Sequence, residues 1–181
     1  MAYTYATDIR WDNGTGATPS DSIARYNQAS ALGAPDNTFL SLGLGGLAVF
    51  DFGSKFSAAA IIFETTYGTR ENYPESANVY VTDSSFDFSA LNSGNGAATL
   101  STTGFTLIGG ITNLSESSEL DLSTFGGPFR YILVEDTTNG GPSTDGFDVN
   151  AVGVAPVPEP ATFILLGSGL AGLAFYRRKK K

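Results

Sequence analysis

A chain of 181 residues has room for one domain and an appendage. It contains neither cysteine nor histidine, which excludes disulfides, thiolate metal sites and every histidine-dependent catalytic triad. The formal charge of −8 hides a division: residues 1–154 carry 5 cations against 17 anions, a net of −12, so the body repels nucleic-acid phosphates.

That acidity suits a solvated exported domain and equally attracts divalent cations. The 22 glycines, with abundant Ser, Thr, Asn and Asp, suit short strands joined by tight turns. "YTYATDIRW" (3–11) alternates and reads as the first strand. It leads into "IRWDNGTG" (9–16), where Arg10, Trp11 and Asp12 form a possible sugar-facing group, although Trp11 suits a core equally well. "SDSIARYNQASAL" (20–32) has the composition of one helical turn, with Ser20 or Asp21 as N-cap. Gly33 to Asn37 is a turn preset by Pro35, and Gly43, Gly45 and Gly46 allow a sharp bend and close backbone approach.

Further strands are predicted at 47–52, 58–65, 77–83, 104–111, 129–136 and 147–155. β-branched and aromatic residues dominate them, and turn formers bound them. In the last, Phe147, Val149, Ala151 and Gly153 share one face, and Asp148, Asn150, Val152 and Val154 the other. The loop "TTYGTRENYPES" (65–76) collects Tyr67, Arg70, Asn72 and Tyr73, an aromatic and hydrogen-bonding set suited to sugar hydroxyls. Within it, Arg70 also has Glu71 and Glu75 as nearby ion-pair partners. "ALNSGNGAATLSTTG" (90–104) reads as a flexible loop. Seven or eight short strands and no sustained helical period make the body, 1–154, an all-β antiparallel sandwich.

The end of the chain differs. Residues 155–160 are a Pro-rich linker, 161–176 carry no charge, and 177–181 are Arg177, Arg178, Lys179, Lys180 and Lys181. Sixteen residues of helix span about 24 Å, close to a hydrocarbon core, and the cation cluster acts as a stop-transfer signal. A single C-terminal transmembrane helix is therefore expected, with the body facing outward. "VPEPATFILLGSGLAGLAFYRRKKK" resembles the PEP-CTERM sorting tail of exported Gram-negative proteins: a Pro-Glu-Pro triplet, a short small-residue-rich apolar helix and a basic cluster. The resemblance implies that an exosortase-type membrane protease-transpeptidase recognises Pro158, Glu159 and Pro160, the inner membrane holding the chain transiently. It further implies a destination at the cell surface or in the extracellular polymer (biofilm) matrix. The start, "MAYTYATDIRW", lacks the secretory signal such proteins carry, so trimming to a mature start is expected.

"ASALGAPDNTFLSLGLGGLAVFDFG" (29–53) and "DGFDVNAVGV" (145–154) resemble segments of surface proteins similar to the discoidin or galactose-binding-like jelly roll. That resemblance implies a structural calcium in an early loop met by the last strand, with Asp36, Asn37, Asp145 and Asp148 as ligands. All four residues are also ordinary turn formers. Without histidine or cysteine, catalysis would need a carboxylate pair, for which Glu64 and Glu135 at strand ends are the candidates. The reading is a non-enzymatic surface or matrix β-sandwich, structural or binding exopolysaccharide. Its alternatives are an adhesive protein assembling through strand edges and a polysaccharide hydrolase.

Overall fold

The computed structural model describes residues 2–15, 25–66, 69–83 and 85–156. Among them are nine strands: β1 (Thr4–Tyr5), β2 (Asp8–Asp12), β3 (Leu40–Ser41), β4 (Leu47–Glu64), β5 (Ser76–Thr82), β6 (Thr106–Thr112), β7 (Ser117–Asp121), β8 (Phe129–Asp136) and β9 (Asp148–Pro156). The only helical pieces among these residues are short 3-10 turns, and every strand pairing is antiparallel. No helix among the described residues is long and apolar enough to cross a membrane. The apolar stretch 161–176 lies outside them, as do Pro158–Pro160, the basic residues 177–181, and Ser20 and Asp21.

The stretches 47–52 and 58–65, read as two strands, join into the single 18-residue β4. An exposed bulge at Gly53–Lys55 divides it. The first half pairs with β2 and β8, as in Asp51↔Tyr131, and the second with β7 and β9, as in Ala60↔Val154. Phe56 stands at the corner and pairs with both Phe129 and Pro156. One strand thereby joins two layers, β2–β4–β8–β5–β6 and β7–β4–β9, with β1 and β3 on the far edge of β9.

Between the layers lie Trp11, Phe50, Phe56, Ile62, Ile132 and Phe147, all fully buried. Burying each such side chain contributes about 1.5–3 kcal/mol. Trp11 is a core residue: its indole N–H donates to the Leu42 carbonyl at 3.0 Å, and its ring meets Tyr26 edge-on at 4.7 Å. Neighbouring Arg10 lies over the Phe88 ring, and an Asp12 oxygen accepts from the Leu100 N–H. Arg10, Trp11 and Asp12 are therefore engaged in packing and hydrogen bonds within the fold.

The run "FRYILVED" is apolar on both faces because β8 is covered on both. Ile132 and Val134 enter the inter-layer core; Tyr131 and Leu133 join Val49 and Phe88 in a second cluster, packed by Phe86, Leu100 and Phe105. That cluster pins the segment 90–104, which has little regular structure but is anchored by buried Ala98, whose N–H donates to the Trp11 carbonyl at 3.2 Å. The early turn forms at Gln28–Ala31, and its cap is Asn27, whose side chain accepts from the Ala29 N–H.

Two strand readings change. β7, "SSELD", escapes the alternation test because it is a half-exposed edge strand that sends only Leu120 against the core. In β9 the expected faces do not hold along the whole strand. Phe63 pairs with Ala151 but Glu64 pairs with Val149, leaving Asn150 as an extra residue. This bulge switches the core-facing set from Phe147 and Val149 to Val152 and Val154.

Candidate functional site

The ends of six strands meet at one pole of the sandwich. Glu64 N–H donates to the Glu116 carbonyl at 3.0 Å, Asn113 to Glu75 at 3.2 Å, Thr137 to Ser76 at 2.9 Å and Thr65 to Asp148 at 3.4 Å. Asp136 closes this pole from within. Its buried carboxylate accepts the N–H groups of Gly45 at 2.9 Å, Phe147 at 2.8 Å and Thr138 at 3.3 Å, and the Thr138 hydroxyl at 2.7 Å. Burial nevertheless pushes this carboxyl up from its ordinary value. The backbones it joins run so close that a Cβ on Gly46 would stand 1.9 Å from the Leu42 carbonyl oxygen. Gly146, at φ 75°, leaves only 2.7 Å for a Cβ beside Gly43. The close approach expected of the Gly43–Gly46 run is thus present.

The loop after β4 is held by Asn113. Its Oδ1 accepts the Glu75 N–H at 3.1 Å, while Nδ2 donates to the Tyr73 carbonyl at 2.6 Å and to Thr66 Oγ1 at 3.1 Å. The loop borders two recesses. The first, about 280 Å³, is lined by Asn37, Glu64, Thr65, Thr66, Arg70, Glu116 and Asn150, among others. Thr66 donates to Glu64 Oε1 at 2.6 Å, and Arg70 Nη2 reaches Oε2 at 3.3 Å. Burial pushes the Glu64 carboxyl up, against these two partners. The β9 bulge aims Asn150 here: its Nδ2 donates to Thr65 Oγ1 at 2.9 Å and its Oδ1 accepts the Asp36 N–H at 3.3 Å.

The second recess, about 130 Å³, is lined by Arg25, Tyr73, Glu75, Pro142, Thr144, Asp145 and Asp148. Arg25 pairs with Asp145 at 3.0 Å, and the Ser41 hydroxyl donates to Asp148. Ser143 donates to Glu75 Oε1 at 2.8 Å. Burial raises the Glu75 carboxyl from 4.5 to about 8, against the Ser143 hydrogen bond and with the nearby charges of Glu64 and Asp145 adding to the rise. Burial, then Glu75 itself, pushes Asp148 well above its usual range.

These shifts predict an inverted pH profile. Between 4.5 and about 8 the folded chain retains a Glu75 proton that the unfolded chain has released. Stability therefore falls as pH rises through that window, by at most about 1.4 kcal/mol per pH unit for one group. Asp148, Asp136 and Glu64 push the same way. Urea midpoints should drop towards about pH 8, and Glu75→Gln should flatten the slope. A wild-type chain that gains stability across the window contradicts the assignment.

The predicted ligand set is only partly united. Arg70 enters the first recess and Tyr73 the second, where it is 38% exposed. Asn72 sits on an exposed turn, its N–H donating to the Thr69 carbonyl at 3.0 Å, and Tyr67 lies outside the described residues. Arg70 pairs with Glu64, six residues earlier at the end of β4, rather than with its nearer neighbours Glu71 or Glu75.

The calcium quartet is not one site. Asp36 accepts the Thr38 N–H at 3.0 Å and its hydroxyl at 2.6 Å, closing its own turn, and Asn37 borders the first recess at φ 69°. Asp145 and Asp148 border the second. Among the described residues, no group of three acidic side chains comes together as metal ligands. Glu64 and Glu135 do not pair either: Glu135 accepts from the Tyr80 hydroxyl and Asn78, two residues from Leu133 on the outer face of β8.

Comparison with known proteins bears on the tail and on the fold. Residues 156–180 match the PEP-CTERM protein-sorting motif. No curated protein matches the chain. Similar solved structures include the C-terminal domain of a chitobiase from Bacteroides fragilis, with TM-score 0.55 and 12% identity over 86% of this chain and 98% of that one. Chitosan-binding module 1 from a Paenibacillus sp. IK-5 chitosanase/glucanase has TM-score 0.51 and 11% identity, covering 84% and 96%. The CpGH89CBM32-4 module of Clostridium perfringens, in complex with GlcNAc-alpha-1,4-galactose, has TM-score 0.51 and 11% identity, covering 84% and 94%. At these identities the likeness is one of fold. The chain thus joins a β-sandwich, whose fold it shares with chitosan-binding module 1 and the chitobiase C-terminal domain, to a C-terminal PEP-CTERM sorting motif.

Proposed function

We propose that this is an exported, non-catalytic carbohydrate-binding module, delivered through its PEP-CTERM tail to the cell surface or the extracellular polymer matrix. The observation that carries the reading is the polar first recess. It places an Arg70–Glu64 ion pair and the bulge-aimed Asn150 beside the loop bearing the exposed Tyr73 ring. Such a combination of fixed hydrogen-bonding groups with an aromatic rim suits a sugar ring, whose edges are polar and whose faces are apolar. The modules sharing the fold include ones named for chitosan binding and for a bound disaccharide, which supports the same ligand class. The sorting motif supports processing by an exosortase and export.

A glycan array probed with residues 2–156 tests this. Binding to a defined glycan is expected, with Arg70→Ala and Tyr73→Ala each weakening it by about 5- to 30-fold, the usual loss for a central polar or aromatic contact. Absence of binding to any glycan moves the function to the adhesive alternative, in which the half-exposed edge strand β7 is the surface to probe.

A further inference from the structure

We infer that the second recess, lined by Glu75, Asp145, Asp148 and Tyr73, receives the primary ammonium group of an amine-bearing sugar. The inference rests on the carbohydrate-binding reading and names the ligand class.

The strongest sign is Glu75. Its side chain lies in the wall of the recess and the residue is only 6% exposed; Oε2 makes no hydrogen bond of good geometry, although the Asp148 backbone N–H also acts on the carboxyl. Ser143 holds the other oxygen at 2.8 Å, so the carboxyl is fixed with one acceptor poorly satisfied. A buried acceptor without a well-formed hydrogen bond is costly, and native proteins rarely keep one without a use. The charges facing Glu75 are Asp145, Asp148 and Arg25 around the recess and Glu64 from β4. Arg25, the one cation lining the recess, pairs with Asp145, so an ionised Glu75 beside Asp148 faces no second cation there.

The alternatives fit less well. A neutral hydroxyl would satisfy the oxygen without balancing the charge. A calcium ion needs six to eight oxygens, yet the acidic groups do not converge and Arg25 already stands 3.0 Å from Asp145. At about 130 Å³ the recess is smaller than the roughly 300–1,000 Å³ that encloses a whole small molecule. It therefore takes a substituent, with the sugar ring resting outside against Tyr73.

The proton count follows. Below about pH 8 the free recess carries the Glu75 proton. An arriving ammonium replaces it: the carboxyl O–H breaks, the proton leaves to buffer, and the carboxylate accepts an N–H of the ligand. Affinity then rises with pH, by up to about tenfold per unit below neutrality.

The test measures binding of the full chain in mild detergent to a β-1,4-linked glucosamine tetramer and to its fully N-acetylated counterpart. The amine form is expected to bind at least about tenfold tighter, with that preference lost in Glu75→Gln and kept in Glu71→Gln, which removes an equal but exposed charge. Equal affinity for both tetramers overturns the ammonium inference and leaves the carbohydrate reading standing. Binding of neither tetramer nor any other glycan overturns both. Equal losses in the two glutamine variants mean diffuse attraction to an acidic surface, and also overturn it. Should Glu75→Gln not fold, calorimetry of the wild-type chain near pH 6 in buffers of different ionisation enthalpy decides. Release of about one proton per tetramer supports the site, and no release overturns it.

Discussion

Asp136→Ala is expected to lower the unfolding free energy by about 3–5 kcal/mol, the range for removing one partner from a buried, fully hydrogen-bonded charge. The carboxylate satisfies three backbone N–H groups that belong to three different segments: the turn before β4, the segment after β8 and the residue just before β9. Alanine leaves all of them without an acceptor, and Phe147, one of the donors, is fully buried. Asp136→Asn keeps the shape and one good acceptor but turns an N–H₂ towards other donors, so its loss should be smaller. Urea titration of residues 2–156 measures both. A loss below about 1 kcal/mol for alanine would mean that solvent reaches these donors and that Asp136 does not organise the pole.

Replacing Pro158, Glu159 and Pro160 together with alanine is expected to abolish processing, leaving the full-length chain in the inner membrane. Proline at both flanking positions fixes φ and disfavours helix in the residue before it, which presents the triplet as an extended segment to a protease groove. Alanine, the strongest helix former, removes that constraint while preserving the apolar stretch and the basic cluster. Fractionation and immunoblotting of cells expressing both forms give the answer. Mutant chain released at the wild-type level refutes a sorting role for the triplet.

How much of this was legible in the sequence depends on the distance over which each residue acts. The strands of 77–83 and 129–136 show plainly because their periodicity is local. β7 does not, since an edge strand with polar residues on both faces has no alternation to detect. The fusion of 47–52 with 58–65 was hidden by the exposed Gly-Ser-Lys bulge, which looks like a turn. The acidic and amide residues that build the functional pole are harder. Glu75 reads as a surface partner for Arg70, five residues away, until the fold buries it beside Ser143 and gives Arg70 to Glu64. Asn113 sits in a stretch with no motif, yet it bridges three points across the loop. Asp145 and Asp148 read as calcium ligands, but the groups that pair with them in the fold, Arg25 and Ser41, lie more than a hundred residues earlier. Local pattern finds elements; the partners of a buried charge are set by topology.

The direction of β9 decides how the molecule meets its surroundings. The strand starts at Asp148 in the wall of the second recess and finishes at Pro156, paired with Phe56 at the corner of β4. Eight residue steps of extended chain separate these points, about 26 Å. The chain therefore departs towards its sorting motif from the pole opposite the recesses. On the proposed reading of the tail as an anchor, the tether leaves from the end of β9, and the two recesses at its start lie at the far end of that strand, open to large polymers that a site beside the tether would be unable to admit.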